Sequence, residues 1–72
     1  MTTRAEHVKW CKTRALEYLD QGDAHAACAS MVSDMHKHDE TAVMLRLAPF
    51  GGEVLVNQGA DGLRKWIEGF AE

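Results

Sequence analysis

Ala15-Leu-Glu-Tyr-Leu-Asp-Gln-Gly22-Asp23-Ala-His-Ala-Ala-Cys-Ala-Ser-Met31 reads as the bend of a helical hairpin. Glycine at position 22 can take the left-handed conformation that ends one helix. Asp23 is placed to cap the next helix by accepting from a free N–H of its first turn. Before the bend, Ala15, Tyr18 and Leu19 share one helical face. After it, Ala24, Cys28, Met31, Val32 and Met35 do the same. The small residues nearest the bend let two helices approach closely.

Upstream, Thr3 and Glu6 have the spacing of a capping box. They predict a first helix from about Arg4 to about Asp20. Its apolar stripe is Ala5, Val8, Cys11, Ala15, Tyr18 and Leu19, with Leu16 at the edge. Trp10 lies nearly opposite, among Glu6, Thr13, Arg14 and Glu17.

Downstream, the alanines at 26, 27 and 29 predict a second helix from Ala24 to about Lys37. The cationic His36-Lys-His38 run suits the negative end of its dipole. Asp39 or Thr41 caps a third helix through Val43, Met44, Leu45 and Leu47. Pro49 and Gly51-Gly52 end it. Glu53–Val56 reads as a connector, a short strand or a helical turn. A lone strand is marginal in water, which favours connector or short helix. Asn57 or Asp61 caps the last helix, with Leu63, Trp66, Ile67 and Phe70 as its apolar stripe. The reading is all-α: residues 1–72 form one small helical domain of about four helices built on the N-terminal hairpin. Its core is expected to gather Tyr18, Leu19, Met31, Met35, Leu63, Trp66 and Ile67.

At 72 residues the chain is close to the lower limit for a domain that folds alone, which leaves little volume for an enclosed active site. Its net charge of −3 argues against a dominant nucleic-acid footprint. No run of apolar residues is long enough for a membrane span. Cys11 and Cys28 fall on inward faces and are expected as reduced thiols, with no mutual disulfide and no bound metal.

His25, Cys28, His36 and His38 raise the question of zinc, but there is no Cys-x-x-Cys pair, and His36 and His38 point apart on a helix. Cys28 with His25 has helical spacing for a nucleophile and base but lacks a third orienting group. No cofactor and no catalytic residue is predicted. Arg4, Lys9, Lys12 and Arg14 make a mixed-charge face with Glu6, Glu17 and Asp20 rather than a recognition helix. Trp10 beside Arg14 is the stronger sign, because Trp and Arg are enriched at binding hot spots. The predicted partner-binding residues are Trp10, Arg14 and His7. The alternative is that Trp10 packs under a neighbouring segment such as Val54–Asn57.

Two resemblances extend this reading. Ala15–Met31 resembles the helix-turn-helix unit of tetratricopeptide repeats, but over a single hairpin, whereas stable arrays need about three repeats. More of the chain is similar to small helical proteins of tailed bacteriophages. The residues that carry this are Glu6-His7-x-x-Trp10-Cys11-Lys12-x-Arg14-Ala15-Leu16-Glu17-Tyr18 with Gly22-Asp23, then Ala29-Ser30-Met31-x-Ser33-Asp34-Met35-x-Lys37-His38-x-Glu40-Thr41, and Arg64-Lys65-Trp66-Ile67-Glu68-Gly69-Phe70. Ala42–Gly62 departs from that pattern, which has a longer linker and no proline. Early transcription regulators of lytic Xanthomonas phages are among the proteins resembled. The resemblance implies a non-enzymatic protein of the infected bacterial cytoplasm, monomeric in isolation. It would bind host RNA polymerase, inhibit initiation and promote antitermination. Two alternatives are an inhibitor of a bacterial defence complex and a self-associating phage structural or assembly protein.

Overall fold

A computed structural model describes residues 3–72. The four helices are α1 (Arg4–Asp20), α2 (Ala24–Met35), α3 (Asp39–Leu47) and α4 (Gly51–Glu68). The capping box forms: the Glu6 amide donates to Thr3 Oγ1 at 3.1 Å, and the Thr3 hydroxyl and amide reach the Glu6 carboxylate. Gly22 takes φ +81°, and Asp23 accepts from the Ala26 amide at 3.0 Å. The α1–α2 hairpin is thus set by local chemistry at both ends of its turn.

α3 and α4 both pack against this hairpin. Val8, Cys11, Ala15 and Leu19 of α1 meet Ala27, Met31 and Met35 of α2, and Leu63, Ile67 and Phe70 complete the core. Of the expected core, Leu19, Met31, Met35, Leu63 and Ile67 are buried, whereas Tyr18 and Trp66 are half-buried at its edge. Trp66 has a different task. Its indole N–H donates to the Pro49 carbonyl at 2.9 Å, and its ring lies edge-on to Phe70. A Cβ on Gly51 would stand 2.8 Å from Cη2 of Trp66, so glycine is needed for this close approach.

Three boundaries differ from the sequence expectation. Neither Asp39 nor Thr41 caps α3. His38 holds the cap position without a side-chain bond. Thr41 is fully buried, and its hydroxyl donates to the carbonyls of Met35 and His38. It thereby supplies a donor to the last carbonyl of α2, which the helix itself leaves unpaired. α4 begins at Gly51, behind Phe50, and Gly59 divides it into two helical stretches, so the last stretch starts between the two expected caps, Asn57 and Asp61. Glu53–Val56 is accordingly helix, and its Val54 is buried. The break falls instead at Gly59, where φ +72° and ψ −166° interrupt α4.

The cysteines carry a pH prediction. Cys11 is fully buried, and burial, aided by the Asp34 carboxylate, pushes its thiol from 9.0 up to about 11. Cys28 is only half-buried, and desolvation raises it too. Both are free thiols. Below pH 9 Cys11 is protonated in folded and unfolded chains alike. Above it the unfolded thiol ionises while the folded one stays neutral, so stability falls as pH rises towards 11. The slope should be about 1.4 kcal/mol per pH unit from this group. Urea titrations at pH 8, 9 and 10.5 should show a shallower loss in Cys11→Ala than in the wild type. Equal slopes in the two proteins would remove Cys11 as the cause.

Candidate functional site

Trp10 sits on the outer side of α1 and is 41 % exposed. Two cations lie over its ring. The Arg14 guanidinium carbon is 4.9 Å from the ring centroid, and the Lys37 ammonium is 4.8 Å from it. Arg14 reaches it from one turn further along α1, the spacing at which helical side chains meet. Lys37 comes from just beyond the end of α2.

Both cations are tethered by Asp34. Arg14 Nε donates to Asp34 Oδ2 at 2.9 Å, and Lys37 Nζ lies 3.3 Å from Oδ1. The Ser30 hydroxyl also donates to Oδ2, at 3.3 Å. Asp34 is 3 % exposed, so water does little to loosen these bonds. The same carboxylate holds the Arg14 guanidinium above its ordinary range, chiefly through the hydrogen bond. One buried carboxylate is thus shared by two cations beside a half-exposed aromatic face, on a chain of net charge −3.

His7 is not on the surface. It is 6 % exposed, and its Nε2–H donates to the Asp34 backbone carbonyl at 2.8 Å. Its ring stacks on Trp10 with centroids 5.6 Å apart, and His38 meets its other side edge-on at 4.3 Å. His7 therefore fixes the indole from below instead of meeting a partner directly. Its burial could have been read from the sequence: position 7 lies one turn before Cys11, on the inward face. Asp34 could have been found too, since it falls in phase with Ala27 and Met31 on an apolar stripe. An acid in such a place needs a cation. Lys37 carried no such signal, because its reach to Trp10 depends on where α2 stops.

The other sequence candidates are separated or occupied. Lys12 donates to the carbonyls of Glu68 and Phe70 at 3.1 and 2.9 Å and pairs with Glu72 at 3.1 Å, so it closes the C-terminal end of α4. His36 Nδ1–H donates to the Val32 carbonyl at 2.8 Å, while His38 faces His7. Among the described residues, no three His, Cys, Asp or Glu side chains come together as a metal site. No helix there is long and apolar enough to cross a membrane. Around the Trp10 ring, His7 stacks on it and Arg14 and Lys37 lie over it. Compared with family models, curated proteins and solved structures, the chain matches none.

Proposed function

We propose that this chain is a non-enzymatic regulator that binds a protein partner through the Trp10 surface, and that the partner is bacterial RNA polymerase. Binding would inhibit initiation and promote antitermination. The observation that carries the binding reading is the half-exposed indole held under Arg14 and Lys37 by a buried Asp34. A large aromatic side chain with its rotamer already fixed loses little entropy on association. Its cationic rim selects a partner surface that offers a carboxylate next to an apolar side chain. The choice of polymerase rests on the resemblance of the Glu6–Asp23, Ala29–Thr41 and Arg64–Phe70 blocks to phage transcription regulators.

The test uses the immobilised full chain and purified bacterial RNA polymerase. Micromolar polymerase should be retained and should be released as salt rises, because screening weakens exposed charge pairs. No retention at these concentrations would end the polymerase assignment.

A further inference from the structure

The two helical stretches of α4 fold back on each other at a single residue. Within Gly51–Glu68 only Gly59 departs from helical geometry, with φ +72° and ψ −166°. That region of backbone space is essentially reserved for glycine. In a straight helix Gly51 and Trp66 would lie about 22 Å apart. Here a Cβ on Gly51 would stand 2.8 Å from the Trp66 ring, and the Trp66 indole bonds to the Pro49 carbonyl. A second glycine belongs to the fold-back. A Cβ on Gly62 would stand 2.2 Å from that of Gln58. On a straight helix, Cβ atoms four residues apart are about 5–6 Å from each other. The fold-back itself is not locked by packing: space around Gly59 is open, and residues 56–61 are all exposed.

From this arrangement we infer that Gly59 is a hinge between two states of α4, and that through it residues 60–70 exchange between two copies of this chain. No loop separates the two stretches. Rotation of one residue into helical φ and ψ therefore makes α4 a continuous helix about 27 Å long. Within one chain that rotation withdraws Leu63, Ile67 and Phe70, all buried, from the hairpin core. A second copy opened in the same way presents an identical core, and the segment that left one chain fits the other. Leu63, Ile67 and Phe70 then pack on the Val8, Cys11, Met31 and Met35 side chains of the second copy. The Glu68 and Phe70 carbonyls, which Lys12 holds in the monomer, meet Lys12 of the second copy. Both states bury the same surfaces, so the hinge residue and the protein concentration decide between them. A short connection without slack is the condition that favours such exchange. The Trp10 cluster is built from α1 and the end of α2, so each copy of the dimer keeps its own.

Size-exclusion chromatography with light scattering tests this on the full chain. Alanine is disfavoured at the φ of Gly59 and favoured in a straight helix, and the straight helix also has room for a Cβ at position 62. Gly59→Ala and Gly62→Ala should therefore each run at twice 8.0 kDa at about 50 µM, where the wild type runs as a monomer. The wild type, unfolded in urea and refolded at about 1 mM, should leave a dimer fraction that persists for hours after dilution, because release requires unfolding. A Gly-Ser-Gly insertion after Gly59 should abolish that fraction, since a longer connection closes within one chain. A Gly59→Ala protein that is a folded monomer, or that fails to fold, overturns the inference. So does a wild type refolded at about 1 mM that is wholly monomeric, and so does an insertion variant that dimerises as the wild type does.

Discussion

Leu63→Ala is expected to destabilise the domain by about 2–5 kcal/mol, the usual cost of removing a fully enclosed leucine side chain. Leu63 is 0 % exposed and sits among Val8, Cys11, Met31 and Met35 in the shared core of the hairpin and α4. Relaxation cannot easily refill the space. Gly62 beside it already lies close to Gln58, and the hairpin is fixed by its caps at Thr3 and Asp23. A domain of this size has only about 5–10 kcal/mol to lose. The melting temperature should therefore fall by at least about 10 °C. Trp66→Ala should act in the same direction for another reason: it frees the Pro49 carbonyl and removes the ring packed on Gly51 and Phe70. A Leu63→Ala melt within about 3 °C of the wild type would show that α4 lies outside the cooperative unit.

The parts of the fold legible in the sequence are those whose chemistry is local. Gly22, Asp23 and the Thr3–Glu6 pair each act within four residues, and each does what its spacing predicts. The inward stripes of α1 and α2 follow from helical period alone. What was not legible depends on distant partners. Thr41 looks like a cap, but the last carbonyl of α2 claims its hydroxyl. Gly51-Gly52 looks like a breaker. Instead the pair opens α4, because a Trp fifteen positions on needs room above Gly51 and because burying Val54 favours helix there. The break moves to Gly59, where the chain is exposed and a positive φ disturbs no packing.

The candidate site divides in the same way. Trp10 and Arg14 were visible as an off-stripe pair one turn apart. Their support was not, because it comes from the far end of α2. That end places Asp34 under α1, offers its carbonyl to His7 and releases Lys37 towards the indole. The site is therefore a product of the hairpin: α1 supplies the aromatic, and the α2 terminus supplies its anchor and second cation.

Trp10→Ala is expected to weaken partner binding by at least about 2 kcal/mol, or roughly thirtyfold in Kd, if the indole is the hot spot of the interface. The same change should alter folding stability by about 1–2 kcal/mol. The ring is 41 % exposed, and exposed cation–π contacts contribute about 0.5–1 kcal/mol each. Arg14 and Lys37 would also keep Asp34 as their partner after the ring is gone. Asp34→Asn should separate the two roles of the cluster. It leaves the indole in place but unties both cations, so binding should weaken although the local positive charge rises. The measurements are thermal melts of each variant and their capture of RNA polymerase across a salt series. A Trp10→Ala melt that collapses would make the indole part of the structural core. An intact melt with undiminished capture would place the binding surface elsewhere on the chain. The expected pattern is a cooperative melt lowered by only several degrees with capture lost, because most of the energy of a half-exposed, pre-positioned aromatic is realised only when a partner removes it from water.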